Sequence, residues 1–204
     1  MLRVALTGGL ACGKSLCGRL FAERGAAVCD ADEIVHDLFR SDGALRDAVA
    51  GAFGPEAIGV DGAVDRAALG RRVFADAAAR ERLNRLVHPA VLAALAAWTE
   101  VQARAGQAVA IAQIPLLYEI GEAARWDRVV CVAAPETAAV ERLRARGLTE
   151  AEARARLAAQ WPVAAKMVRA DYAIYNAGSM ELVAEQVARV WTKLRSEADD
   201  GPTQ

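Results

Sequence analysis

The segment Gly8-Gly9-Leu10-Ala11-Cys12-Gly13-Lys14-Ser15 constrains this chain more than any other. It fits G-x-x-x-x-G-K-[ST] and lies between an apolar run, Leu2 to Leu6, and a stretch where Leu16, Leu20 and Phe21 recur at helical spacing as far as Gly25. Strand, glycine-rich turn and helix in that order make a phosphate-binding loop. Glycines let successive N–H groups face phosphate oxygens, and the helix N-terminus adds its dipole. The lysine bridges the β- and γ-phosphates, and the hydroxyl beside it ligates magnesium. The expected nucleotide contacts are therefore Gly9, Ala11, Cys12, Gly13, Lys14, Ser15 and Leu16. Lys14 is also catalytic, and Ser15 is the ligand of a Mg2+ that accompanies ATP. Lysines occur only at 14, 166 and 193, so one inside this loop stands out from an arginine background.

The rest of the composition narrows the partners. A chain of 204 residues suffices for one α/β domain with an insert. A net charge of -1 offers no bulk attraction for nucleic acid or a membrane surface, so an anionic ligand must be held locally. No run approaches the roughly 18 apolar residues of a membrane span. The first residues fail as a targeting segment because Gly8-Gly9 breaks their apolar run. Cys12, Cys17, Cys29 and Cys131 form no C-x-x-C pair and no zinc spacing with His36 or His88. These features read as a reduced cytoplasmic protein without disulfides. The expected assembly, which no sequence feature fixes, is a monomer or weak oligomer.

Ala26 to Cys29 reads as a second strand, followed by an amphipathic helix carrying Ile34, Val35, Leu38 and Phe39. This β-α-β order predicts that the first two strands are parallel neighbours. Residues 41–106 are helical in pattern, with stops at Gly54-Pro55, Val60-Asp61-Gly62, Asp76 and His88-Pro89. Ala108 to Ile114, Arg128 to Val132 and Tyr172 to Tyr175 complete five strands of a three-layer α/β fold. Glu136 to Gln160 reads as two helical stretches split by Gly147 and rich in arginine, a cationic flap. The tail from Ala198 to Gln204 reads as mobile.

Asp30 and Asp32 follow the second strand, whose C-terminal end lies on the loop's side of a parallel sheet. There Asp32 can take the proton of an acceptor hydroxyl while Asp30 orients it or reaches magnesium through water. Both are equally suited to capping a helix that begins near Glu33. Arg142 and Arg146 stand one helical turn apart and can clamp phosphate oxygens, or remain solvated. His88, before Pro89, either ends a helix or binds the acceptor. Cys12 and Cys17 flank Lys14, where a helix N-terminus would lower a thiol pKa and invite oxidation.

Taken together, these segments resemble the dephospho-coenzyme A kinase family over nearly the whole chain. The resemblance rests on Leu6-Thr7-Gly8-Gly9 with Gly13-Lys14-Ser15, Cys29-Asp30-Ala31-Asp32, Asp65-Arg66 with Leu69 and Phe74, and Leu86-Val87-His88-Pro89. It extends through Ile114-Pro115-Leu116-Leu117-Tyr118-Glu119, Arg142 with Arg146, Gln160, and Ala170-Asp171-Tyr172 with Asn176 and Gly178. The resemblance implies a five-stranded parallel P-loop core and phosphoryl transfer from ATP to the ribose 3′-hydroxyl of dephospho-coenzyme A. It implies Asp32 as base, Arg142 as a further catalytic residue lying with Arg146 on the nucleotide side of a lid, and Asn176 near the adenine. Asp30, His88, Pro115 and Leu116 become the acceptor contacts. The corresponding division is a nucleotide core of residues 1–30, 107–140 and 168–197, a helical acceptor region of 31–106, and a lid of 141–167.

Four positions depart from the family's pattern. Ala11-Cys12 stand where it has Gly-Ser, Gln113 where an aspartate is common, and Tyr175-Asn176 where it has Asp-Asn; one residue is missing between Arg146 and Gly147. Ala11 is tolerable if its φ is negative or the loop relaxes, since a Cβ penalises left-handed geometry by about 1 kcal/mol. Gln113 cannot serve as an anion. Other readings are a different small-metabolite or nucleotide kinase, a nucleotide-gated regulatory module and an inactive descendant. GTP-specific switching is disfavoured because the chain has no N-K-x-D segment.

Overall fold

A computed structural model describes residues 1–200, without the side chains of Phe74 and Ala75. Two compact units emerge, one made of Met1–Cys29 with the chain from Val101 onward, the other Asp30–Glu100. The first is built on five strands: β1 (Leu2–Gly8), β2 (Ala27–Asp30), β3 (Val109–Gln113), β4 (Arg128–Ala133) and β5 (Tyr172–Tyr175). The sheet order is β2-β3-β1-β4-β5, and β1 runs parallel to β3 and β4, as β4 does to β5. All five residues of β3 and six of the seven in β1 are buried, the continuous apolar reading expected when helices cover both faces.

One expectation fails here: β1 and β2 are not neighbours, because β3 occupies the position between them. A helical crossover spans one strand position or two with equal ease, and lateral order leaves no trace in local periodicity. The chain leaves β1 toward β2 on one side of the sheet and leaves β4 toward β5 on the other, the kind of switch point beside which open α/β sheets bind ligands.

Helix α1 (Lys14–Ala22) buries Cys17, Gly18 and Phe21. The long α9 (Met180–Asp200) buries Val183, Val187, Val190 and Leu194, a stripe at helical spacing. These side chains share one core with Val4, Leu6, Ile111, Val130 and Ile174. Residues 198–200 belong to the last turn of α9, with Ala198 against that core, so the expected mobility is not found there. Residues 201–204 of that tail lie outside the described residues, as does the side chain of Phe74. Among the described residues no helix is long and apolar enough to cross a membrane.

The second unit is helical: α2 (Ala31–Ser41), α3 (Gly43–Phe53), α4 (Arg66–Ala75) and most of α5 (Ala77–Arg104). Aspartates punctuate it. Asp42 accepts from the N–H of Leu45 at 3.0 Å, Asp65 from Ala67 and Ala68 at 2.9 and 3.0 Å, and Asp76 from Ala78 at 2.8 Å. Phe39, Leu45, Val49, Phe53, Leu69 and Val87 form its core. The stop expected at His88-Pro89 is absent, for α5 runs through Pro89. Pro89 forfeits one backbone bond, but Val87, Val91 and Leu95 recur every fourth residue and their burial carries the helix past it.

Candidate active site

The phosphate loop is shaped where β1 meets β4. Gly8 has φ 146, and a Cβ there would stand 2.0 Å from the carbonyl oxygen of Val132, a backbone atom that cannot yield. Four residues on, the N–H of Cys12 reaches Gly9 O at 3.4 Å and closes a turn. Gly13, at φ 98 and ψ 25, caps α1 without a side-chain bond, and the first turn of α1 holds no acidic residue. A first turn with neither a side-chain cap nor an acidic residue is the setting in which a helix N-terminus accepts an external anion. The Lys14 ammonium folds back over the loop, donating to Gly9 O at 2.9 Å and Gly8 O at 3.3 Å. Ser15 is exposed in that first turn, whereas the Leu16 side chain packs on the central core, leaving only its backbone to face a nucleotide.

Ala11 adopts φ 56, so the negative φ that would excuse its Cβ is not what the loop uses. The loop is held from outside instead. Arg142, on α6 (Glu136–Arg144), donates from Nη1 to Ala11 O at 3.0 Å and from Nη2 to Asn176 O at 3.4 Å. Asn176, 6% exposed just past β5, donates from Nδ2 to Cys12 O at 2.9 Å while its own N–H bonds Ala133 O at 2.7 Å. Its amide fills the space over Gly13, where a Cβ would lie 2.2 Å from Nδ2. Arg142 and Asn176 thus grip two consecutive loop carbonyls and fix the turn that strains Ala11. Arg146 is exposed beyond the end of α6 and takes no part in this grip.

The thiols are less reactive than their neighbourhood suggested. Burial pushes the Cys12 thiol up, against the pull of Lys14 and Arg142; it takes Cys17 to about 12 and Cys131 to about 11. Desolvation outweighs the helix terminus, which removes the thiolate that oxidation needs. The flap is also less cationic than it reads. Residues 136–160 set four glutamates against five arginines, and Arg154 pairs with Glu136 and Glu150, each at 2.9 Å. Helix α7 (Glu150–Ala158) is closed by a capping box between Thr149 and Glu152.

A cavity of about 430 Å³ lies beside the loop, with Gly9 and Leu10 on one wall and Leu157, Gln160, Trp161 and Val163 on another. The Pro115 carbonyl accepts from Thr7 Oγ1 at 3.3 Å, and Leu116 is exposed. Gln113 is buried against Gly18, and its Oε1 has no hydrogen-bond partner. Sequence reasoning passed over one group here. Lys166 is fully buried and donates to Pro115 O at 3.0 Å; its only signal was the scarcity of lysine.

In the second unit the two aspartates separate in role. Asp30 caps α2, accepting the N–H of Asp32 at 2.8 Å, and the helix starts at Ala31 rather than near Glu33. Asp32 is exposed in its first turn. His88 is half-buried in mid-helix, so it ends no helix.

Residues 2–181 match the family described as dephospho-CoA kinase. A dephospho-CoA kinase of Anaeromyxobacter dehalogenans is 46% identical over 94% of this chain and 92% of its own length. One of Geobacillus kaustophilus is 42% identical over 93% of this chain and 94% of its own. A crystal structure from Thermus thermophilus superposes with a TM-score of 0.79 at 33% identity, covering 95% of this chain and 97% of that one.

Proposed function

We infer the division of labour among these residues from one premise: the chain belongs to the dephospho-CoA kinase family. It is a kinase that phosphorylates dephospho-CoA with ATP, within coenzyme A biosynthesis. The observation that carries this reading on its own is the phosphate loop, whose helix N-terminus without a side-chain cap or acidic residue and overlying Lys14 ammonium suit a triphosphate. Our finer assignment is transfer to the ribose 3′-hydroxyl, yielding coenzyme A and ADP. The acceptor oxygen bonds to the γ-phosphorus as the bond to the β–γ bridging oxygen breaks, and the hydroxyl proton passes to the carboxylate of Asp32.

Lys14 is assigned to the β- and γ-phosphate oxygens, and the loop N–H groups from Gly9 to Leu16 to the rest of the triphosphate. Arg142 and Asn176 act by holding that loop, on the adenine side, with Arg146 beyond them. Asp30, His88, Pro115 and Leu116 are assigned to the acceptor. We retain the division into a core of 1–30, 107–140 and 168–197, an acceptor region of 31–106 and a lid of 141–167, in a cytoplasmic monomer or weak oligomer.

ATP is used with a divalent metal, and the residues present suit one carried in by the nucleotide. Ser15 offers an exposed hydroxyl, and Gln113 Oε1 is a buried oxygen without a partner. Among the described residues no three His, Cys, Asp or Glu side chains gather to cage an ion. We assign Mg2+, which keeps most of its water and takes few protein ligands, with Ser15 as the residue that would hold it. When bound, it neutralises charge on the phosphate oxygens.

The test is a phosphotransfer assay with ATP, magnesium and dephospho-CoA. Asp32→Asn should lower kcat by about 10²-fold or more while leaving ATP affinity within twofold, as loss of a general base requires. Absence of coenzyme A formation by the unaltered protein refutes the activity; an indifferent Asp32→Asn refutes the base.

A further inference from the structure

Lys166 lies on α8 (Val163–Arg169), a seven-residue helix that follows the flap, and its side chain is wholly excluded from solvent. Its ammonium stands 2.7 Å from Glu119 Oε1 and donates to Pro115 O at 3.0 Å. Each acceptor serves a second segment. Pro115 O also takes the hydroxyl of Thr7 at 3.3 Å, one residue before the loop begins. Glu119 Oε1 also takes the N–H of Trp161 at 3.0 Å, the point where the chain returns from the flap. The Trp161 ring lies nearly parallel to Tyr118 at 6.3 Å, with Arg169 5.2 Å above it.

One buried cation therefore ties together the end of β1, the turn after β3 and the return from the flap. A buried ion pair is a poor device for stability alone, since desolvation consumes much of its attraction and apolar side chains of similar volume serve as well or better. What such a pair adds is a single geometry. Gly9 and Leu10 form one wall of the cavity beside the loop, and Trp161, Pro162 and Val163 form part of the other. The walls also touch through apolar contacts, Leu10 with Leu157 and Val163 with the core that holds Cys12, and the Lys166–Glu119 pair fixes the segment from which the second wall rises.

We propose that the Lys166–Glu119 pair is a positioning latch that sets the flap's return against the phosphate loop, and so the width of the cavity between them. It touches no reacting atom. This rests on the kinase reading above, because the width matters only if a phosphoryl group crosses that space.

The test uses the full chain. Lys166→Met leaves Glu119 buried without its cation and should lower the melting temperature sharply. The paired variant Lys166→Met/Glu119→Gln removes both charges and should recover most of that loss. Its kcat should nevertheless remain at least tenfold below that of the unaltered protein, with KM for ATP within twofold, since the loop and its grip are intact. Recovery of both stability and kcat overturns the latch and leaves the pair a packing feature. Glu119→Gln alone supplies a readout that needs neither turnover nor substrate. Amide exchange at Trp161 should accelerate at least tenfold while Val4 to Leu6 exchange as before. Unchanged exchange at Trp161 overturns the proposal even if the paired variant does not fold. Failure of the unaltered protein to turn over dephospho-CoA would count against the kinase reading and leave the exchange result to decide the latch.

Discussion

Gly13 and Asn176 should behave as one unit, and a double-mutant cycle measures how tightly they are joined. Gly13→Ala places a residue with a Cβ at φ 98, a conformation that costs an ordinary residue about 1–2 kcal/mol. The new Cβ also falls 2.2 Å from Asn176 Nδ2, which is buried and bonded to Cys12 O at 2.9 Å. Driving that amide aside leaves a buried carbonyl short of its donor, about 1–3 kcal/mol. The stiffer unfolded chain returns about 0.4–1 kcal/mol, so the net loss is about 1–4.5 kcal/mol. Asn176→Ala alone forfeits the same donor and should cost about 2–3 kcal/mol. In the double variant no amide remains to be displaced, so the donor is lost once rather than twice. The combined loss should fall short of the sum by that donor's contribution, about 1–3 kcal/mol. Urea denaturation of the four proteins at 25 °C reads the cycle. Additivity within about 0.5 kcal/mol would refute the claim that Asn176 is what forbids a side chain at Gly13.

Two further outcomes follow from the loop's unusual residues. Ala11→Gly should shift the melting temperature by no more than about 2 °C, because strain relieved at φ 56 is nearly offset by added freedom of the unfolded chain. Ala11→Val, branched at Cβ, should lower it by about 2–4 °C for each kcal/mol of added strain, and a valine with no such loss would show that the loop relaxes. Cys12 and Cys17 should resist iodoacetamide at pH 8 in the folded protein, read by peptide mass spectrometry, because burial keeps both protonated. The folded pKa of Cys17, about 12, lies above its unfolded value of 9.0. Its contribution to stability is therefore complete below pH 9.0 and is lost as pH rises toward 12. Rapid labelling of Cys12 in the folded chain would overturn this account.

The strands were legible for a reason the structure supplies. β1, β3 and β4 are covered on both faces, so Val4-Ala5-Leu6, Val109 to Ala112 and Val129 to Val132 read as unbroken apolar runs bounded by turn residues. Their lateral order was not legible, since nothing in Ala27 to Asp30 records that β3 will enter between that strand and β1. Pro89 misled in the opposite sense. Local propensity ends a helix at His88, but the penalty of one missing bond is smaller than what the Val87, Val91 and Leu95 stripe contributes by burial.

At the site, legibility follows the backbone. The loop's glycines are visible because φ values of 146 and 98 exclude other residues whatever surrounds them. Arg142 and Asn176 were named through the family resemblance, but their grip on the loop was not legible, for the complementary reason. Arg142 reaches Ala11 across 131 positions and Asn176 reaches Cys12 across 164, and neither pairing leaves a spacing to count. The same distinction explains why Ala11 is tolerated where the family's pattern has glycine. Its carbonyl is bonded by Arg142 and the next by Asn176, so strain of about 1 kcal/mol at one residue is set against two hydrogen bonds of about that size. A loop gripped so firmly does not need the freedom that glycine would give it, and removing the grip, not restoring the glycine, is what should disturb phosphate binding.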